Sequence, residues 1–195
     1  MAKKAESTLK NMLLSLTLIA LVASLSLALV NNVTKGPIEK VNKEKIENAV
    51  AKVLPQGKEY DLKTDIVKVK TDKGEEEMTR YTATGKDGVL VGKAVQAFDK
   101  NGFGGKLTAM VGFDAEGNIT GYEILESSET PGLGAKADKW FQADGKGKVI
   151  GLNPENNKIT VKKDGGEVDA ITGSTITSRA FCRLIAYAYD AYNQQ

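Results

Sequence analysis

The residues best suited to chemistry lie close together between positions 169 and 178. Four hydroxyl residues surround Gly173, namely Thr172, Ser174, Thr175 and Thr177. Apolar residues recur at helical spacing directly afterwards, at Ala180, Phe181, Leu184, Ile185 and Ala188. This periodicity predicts an amphipathic helix, so the hydroxyl groups are predicted to lie on the turn that begins it.

Two interpretations of this turn are open. The free N–H groups and the positive end of the helix dipole can bind a phosphate, and Gly173 lets the backbone come close to it. Alternatively, the hydroxyl residues are ordinary N-caps, because Ser and Thr are common at that position. Residue type alone favours the N-cap interpretation.

The order of residues from Asp169 to Thr175 resembles a known modification signal. It is similar to the flavinylation motif Asp-x-x-Ser/Thr-Gly-Ala-Thr of the FMN-binding domain family, with Ser174 in place of Ala. In that family an ApbE-type transferase joins FMN through its phosphate to the last threonine. The resemblance implies a covalent FMN on Thr175, recognition of Asp169 by the transferase, and further binding residues at Thr172, Gly173, Ser174 and Thr177.

A second signature lies upstream as Glu129-Thr130-Pro131-Gly132-Leu133-Gly134, preceded by Gly104-Gly105. Taken alone, this Gly/Pro loop is more typical of a plain turn than of a ligand-binding loop. Both motifs, together with one apolar span, resemble the G-subunit family of the Rnf complex and its relative, the C subunit of the sodium-pumping NADH:quinone reductase. The resemblance implies that the flavin ring lies against the loop residues Glu129, Thr130, Leu133 and Gly134.

The function implied by this resemblance is electron transfer within an ion-translocating ferredoxin:NAD oxidoreductase. Its implied partners are the other Rnf subunits and the ApbE-type transferase, and no residue is expected to act as a catalytic acid, base or nucleophile. One alternative is an independent membrane-anchored FMN protein that serves another extracytoplasmic reductase. Another is a structural anchor or binding module that carries no flavin.

Composition excludes several kinds of site. Histidine is absent and Cys182 is the only cysteine, which rules out a Ser-His-Asp triad, the usual zinc sites and a complete cysteine-ligated iron–sulfur cluster within this chain. Redox work would therefore need an organic cofactor. The net charge of +2 is accounted for by the N-terminal segment, so the remainder has no basic surplus typical of nucleic-acid binding.

Residues 12–30 carry no charge and are long enough to cross a bilayer core of about 30 Å. A cleavable signal peptide is the alternative, with Ser26-Leu27-Ala28 as its cleavage site, but the apolar run continues to Val30 and favours a retained anchor. Lysines flank both ends, so the positive-inside rule does not set the direction. The resemblance implies a bacterial cytoplasmic membrane, a cytoplasmic N-terminus and an extracytoplasmic C-terminal domain.

The predicted fold class is α+β, with one N-terminal transmembrane helix followed by a single FMN-binding domain whose mainly antiparallel sheet is flanked by helices. The predicted divisions are a cytoplasmic N-terminus 1–11, a transmembrane helix 12–30, a linker and amphipathic helix 31–57, and the FMN-binding domain 58–195. Alternating residues and turn signals predict an edge strand around 66–70, hairpins 81–91 and 107–125, and a short strand 149–150. Residues 135–141 are predicted to form a short helix.

Overall fold

The computed structural model describes residues 8–55 and 59–194. Residues 1–7 of the predicted N-terminal segment lie outside this description, as do Gln56 and Gly57 at the predicted end of the amphipathic helix. The chain divides into two compact units, the first ending at Glu44 and the second comprising Lys45–Gln195.

Helix α1, Leu9–Val53, contains the apolar run. An 18-residue window within it has a mean hydropathy of 2.5, and none of that window is buried inside the protein. Its length and composition are sufficient to cross a membrane.

The region between the apolar run and the amphipathic segment differs from the prediction. The sequence predicts a linker from residue 31, whereas residues 31–53 belong to α1, with Pro37 inside the helix. A proline removes one N–H donor and weakens a helix locally. Here the helical residues continue on both sides of it. Within the predicted amphipathic helix, Ala49, Val50 and Val53 are buried, as expected for the apolar face of such a helix.

Five strands form one antiparallel sheet in the order β1-β2-β3-β4-β5 within the described residues. They are β1 (Tyr60–Thr71), β2 (Gly74–Gly85), β3 (Leu90–Gly102), β4 (Gly105–Asp114) and β5 (Ile119–Glu126). Each strand pairs with the next along the chain, which confirms the edge strand and both predicted hairpins. Short turns rich in Gly and Asp cause this topology, since they bring consecutive strands together as hairpins.

The two faces of the sheet are covered by different helices because neighbouring residues of a strand point to opposite sides. Val95 and Val111 belong to the larger core beneath helix α3, Thr175–Asn193. Ala94 and Met110 belong to a smaller cluster with the last turns of α1. The fold class is therefore confirmed as an apolar N-terminal helix followed by one antiparallel α+β domain.

Aromatic packing fixes helix α3 against the segment that follows β5. Phe181 of α3 stacks on Phe141, with ring centroids 4.1 Å apart and an interplanar angle of 6°, and meets the edge of Tyr122 at 4.8 Å. Phe141 and Phe181 are fully buried. Stacking of this kind stabilises a helix position beyond the burial of area alone.

The segment between β5 and α3 has little regular structure. A 3₁₀ turn, Gly134–Lys136, leads into the short helix α2, Ala137–Trp140, which agrees with the predicted helix there. The predicted strand at Val149 and Ile150 is wrong, because these residues form no strand in the described chain. The Val149 N–H instead donates to the carbonyl of Phe141 at 3.0 Å. The Val149 side chain is fully buried, so its apolar character reflects burial in the core rather than strand pairing.

A buried ion pair joins the end of β3 to helix α3. Asp99 is 2% exposed, and both of its carboxylate oxygens accept hydrogen bonds from Arg183, at 2.9 and 3.0 Å. This bidentate geometry is the strongest arrangement available to an arginine and a carboxylate. Hydrogen bonding to Asp99 raises the pKa of Arg183 above its ordinary value.

Replacing Arg183 by Met should therefore destabilise the domain strongly. The change leaves the Asp99 carboxylate buried without its cation, which costs about 3 kcal/mol of unfolding free energy. Urea unfolding followed by the fluorescence of Trp140, the single tryptophan, measures this loss. Arg179→Met is the matched control, because Arg179 pairs with Asp164 at the surface and its loss should have a much smaller effect. Equal losses in the two variants would contradict a structural role for the Asp99 pair.

Candidate functional site

One cleft of about 340 Å³ brings the two sequence motifs together. It lies between the tip of the β3–β4 hairpin, the loop after β5 and the start of α3. Most of the residues singled out in the sequence line it, namely Glu129, Thr130, Leu133, Gly134, Gly173, Ser174, Thr175 and Thr177. Its volume is within the range typical of small-molecule sites.

Two residues of the flavinylation motif do not line this cleft. Asp169 forms a surface ion pair with Lys162 at 2.8 Å, and its backbone carbonyl accepts a hydrogen bond from the Trp140 indole, also at 2.8 Å. Thr172 is exposed. The structure therefore separates the motif into an outward-facing part and a part that faces the cleft.

The first turn of α3 is left without a side-chain cap. Ser174 occupies the N-cap position, and its side chain makes no capping hydrogen bond among the described residues. The N–H of Ser178 reaches the Ser174 carbonyl at 3.0 Å, so the N–H groups of Thr175, Ile176 and Thr177 precede the first intrahelical hydrogen bond. Free N–H groups at the positive end of a helix favour an anion. The capping interpretation is therefore not supported for Ser174.

The hydroxyl residues differ in their burial and in the hydrogen bonds that their side chains make. Thr177 is 1% exposed and donates to Oε2 of Glu129 at 2.8 Å. Ser178 is fully buried and donates to the Ser174 carbonyl at 2.9 Å. Ser174 itself is buried. Thr175, the first residue of the helix, is half-buried and lines the cleft.

Glu129 has an unusual environment for a carboxylate. It is 7% exposed, and its Oε1 has no hydrogen-bond partner within residues 8–55 and 59–194. Close packing around Gly134 contributes to this burial, because a Cβ there would lie 2.5 Å from Oε2 of Glu129 and 2.7 Å from the Thr177 hydroxyl. A buried polar oxygen without a partner is costly, and in a cleft it indicates a place for a donor from a ligand.

Apolar side chains complete the cleft. Leu133 is exposed and lies beside Gly173, whose φ of +77° is in the left-handed region that glycine tolerates best. Ile176 and Phe103 are also exposed and line the cleft, although the sequence motifs did not single them out. Phe103 could have been noticed as an aromatic residue among glycines in the Gly102 to Gly105 turn.

Comparison with known proteins places these residues in a family. Residues 102–190 match the FMN-binding domain family, and this range includes every residue that lines the cleft. The chain is 37% identical over 184 residues to the G subunit of the Na⁺-translocating ferredoxin:NAD⁺ oxidoreductase complex of Acetobacterium woodii, covering 92% of this chain and 89% of the relative.

Further relatives carry a similar name. The chain is 30% identical over 194 residues to the G subunit of an ion-translocating oxidoreductase complex of Aliivibrio fischeri, covering 95% and 91% of the two chains. It is 31% identical over 186 residues to the G subunit of the Shewanella baltica complex, covering 91% and 86%. The chain belongs to the G-subunit family of ion-translocating oxidoreductase complexes. The family resemblance inferred from the sequence is thus confirmed.

The G-subunit cleft fits the cofactor of its FMN-binding domain in three respects. The uncapped start of α3 suits a phosphate, because N–H groups and the dipole favour negative charge there. The exposed side chains of Leu133 and Ile176 suit an apolar ring. The free Oε1 of Glu129 suits an N–H donor such as the one carried by the isoalloxazine ring.

The hydrogen bond between Thr177 and Glu129 should be important for stability. Thr177→Val keeps the shape of the side chain but removes the donor, which leaves both Glu129 oxygens buried without a partner and costs about 2–3 kcal/mol. Thr172→Val is the control, because Thr172 is exposed and its replacement should change stability by no more than about 0.5 kcal/mol. Urea unfolding followed by Trp140 fluorescence compares the two variants. A Thr177→Val protein as stable as the control would show that water reaches Glu129.

Proposed function

We propose that this chain is the electron-transfer subunit of an Rnf-type ion-translocating ferredoxin:NAD oxidoreductase, carrying FMN as a phosphoester on Thr175. The observation that carries the proposal is the cleft itself, in which an uncapped helix start, a free buried carboxylate oxygen and exposed apolar side chains meet. The names of the relatives support the complex, and the family domain supports the cofactor.

Thr175 is the attachment residue because it lines the cleft at the first position of α3 and is only half-buried. The neighbouring Thr177 hydroxyl is buried and donates to Glu129, and Ser174 is also buried. A phosphodiester on Thr175 keeps one negative charge at the start of α3. The helix dipole there stabilises that charge by about 0.3–1 kcal/mol, in addition to hydrogen bonds from the free N–H groups.

Attachment requires a partner enzyme, because a threonine hydroxyl does not form a phosphoester with a flavin phosphate unaided. An ApbE-type transferase is proposed to recognise Asp169 together with Thr172 and Gly173. Their positions support this division of roles, because Thr172 and Gly173 are exposed and the Asp169 carboxylate is held at the surface by Lys162. A transferase can therefore contact this side while the cofactor lies in the cleft.

The remaining residues of the cleft hold the ring. Leu133 supplies apolar contact, and Glu129 and Thr130 supply polar groups near its edge. Bound FMN provides redox chemistry in which electrons pass singly or in pairs. The chain therefore acts as a redox subunit without a catalytic acid or base of its own. A phosphoester also prevents loss of the cofactor to a dilute medium.

The apolar part of α1 is proposed to anchor the subunit in the bacterial cytoplasmic membrane, with the N-terminus in the cytoplasm and the FMN-binding domain outside. The exposure and mean hydropathy of this helix support a membrane location. Lysines flank the apolar run on both sides, so the direction depends on the family resemblance. The other Rnf subunits are the proposed partners in this membrane.

Purification from the native membrane tests membership of the complex. An affinity-tagged chain should retain the other membrane subunits in mild detergent, and its intact mass should exceed the sequence mass by FMN minus water. A flavinylated chain that purifies without those subunits would support the independent FMN protein instead. A chain of unmodified mass would contradict covalent attachment.

Thr175→Ala should abolish covalent flavin, since it removes the only cleft-facing hydroxyl at the helix start that is neither buried nor bonded to Glu129. The protein is co-expressed with an ApbE-type transferase, and in-gel flavin fluorescence after denaturation provides the measurement. Thr172→Val tests the recognition signal separately and should lower the extent of labelling. Fluorescence retained by Thr175→Ala, with the flavin mapped by peptide mass to Thr177, would refute the assignment.

A cysteine in the β4–β5 turn should report the direction of the membrane span. Ala115→Cys places an exposed thiol there, while the native Cys182 is buried and burial raises its pKa to about 12, so it stays protonated and shielded. An impermeant thiol reagent should label Ala115→Cys in spheroplasts and leave the native chain unlabelled. Labelling that appears only after lysis would place the domain in the cytoplasm.

A further inference from the structure

Phe103 is the aromatic residue at the tip of the β3–β4 hairpin, between Gly102 and Gly104. Its side chain is 68% exposed, and it lines the same cleft as Glu129 and Thr175. It belongs to neither hydrophobic core cluster of the described residues, so burial in the fold does not account for it. An exposed aromatic side chain at a cleft is typical of a contact with a ligand or a partner.

The hairpin tip that carries Phe103 is held firmly. A Cβ at Gly104 would overlap the backbone carbonyl of Ser128, so only glycine permits this close approach. Asp99, four residues before Phe103, accepts a hydrogen bond from the Asn101 N–H at 2.8 Å and is itself fixed by Arg183. Phe103 is thus presented on a rigid turn rather than on a loose loop.

Three exposed apolar side chains reach the cleft from three separate elements. Phe103 comes from the hairpin tip, Leu133 from the loop after β5 and Ile176 from the first turn of α3. The sequence motifs explain only Leu133. A planar ring held in this cleft would bury apolar surface on all three, which removes the cost of exposing them to water.

We propose that Phe103 is a further cofactor-binding residue, which covers the flavin ring in the cleft. The proposal rests on the proposed function, because it takes FMN as the occupant. Phe103 suits this role because aromatic rings favour stacked or edge-to-face contact with other aromatic systems. Its place on a rigid turn keeps the contact without a large loss of conformational freedom on binding.

Covalent attachment lets the ring contact be measured separately from cofactor loss, since the flavin remains bound whether or not Phe103 contacts it. Phe103→Ala is prepared as the full chain in detergent with flavin on Thr175, and iodide quenching of flavin fluorescence measures exposure of the ring. Loss of an aromatic contact of about 0.5–1.5 kcal/mol should raise the ratio of uncovered to covered ring roughly 2- to 13-fold, which iodide quenching detects. Ile66→Ala is the control, because Ile66 is 67% exposed on β1 and does not line the cleft.

A second measurement separates contact with the cofactor from an effect on the hairpin. Phe103→Ala is also made in the flavin-free Thr175→Ala background, and the melting temperature is compared between the two backgrounds. Phe103→Ala should lower it in the flavinylated chain and leave it nearly unchanged in the flavin-free chain. The interaction between the two substitutions then measures the contact.

Several results would overturn the proposal. Equal iodide quenching in Phe103→Ala and the native chain would show that Phe103 does not cover the ring. An equal fall in melting temperature in both backgrounds would assign Phe103 a structural role in the hairpin. Unchanged iodide quenching, combined with loss of the other membrane subunits when Phe103→Ala is purified, would assign Phe103 to a partner interface. A native chain without any covalent flavin would instead refute the proposed function.

Discussion

The buried hydrogen bond from Thr177 to Glu129 holds the cleft together. Its two residues lie 48 positions apart, one on the first turn of α3 and the other at the start of the loop after β5. Because Gly134 leaves room for both side chains, the loop, the helix and the carboxylate occupy one small volume. This contact joins the helix start directly to the loop after β5.

The rest of the domain fixes where that hydrogen bond forms. Helix α3 lies on the face of the sheet formed by residues such as Val95 and Val111, and the Phe141–Phe181 stack secures it beside the segment that follows β5. The start of α3 therefore has a defined position before any ligand is considered. The sheet acts as support, while the cleft residues come from a hairpin tip, a loop and a helix end.

Local patterns predicted much of this fold. Asp-Gly and Gly-rich turns between alternating segments predicted the hairpins, and apolar spacing after Thr177 predicted α3, because both signals arise from neighbouring residues. Val149 and Ile150 were wrongly predicted as a strand, since their apolar character reflects burial in an irregular segment. Helix α1 also includes residues 31–53, part of which the sequence predicts as a linker, because the helix continues through Pro37.

The candidate site was predictable only in part, because sequence patterns report on residues that are neighbours in the chain. The motifs located Thr175 and the Glu129 loop, and the structure brings them into one cleft. The hydrogen bond between Thr177 and Glu129 and the position of Phe103 in the cleft depend on contacts between distant segments, which no local spacing reveals. The motif also includes a residue that does not line the cleft, since Asp169 forms a surface ion pair with Lys162.

The Asp99–Arg183 pair has a consequence for electron transfer itself. It ties the strand that leads to Phe103 to the same helix that begins at Thr175, so two walls of the cleft share one buried, bidentate link. Walls connected in this way have little freedom to reorient when the charge between them changes. If the cleft holds a flavin, the reorganisation energy from the protein is then small, and an electron can arrive and leave without the site having to rearrange around it.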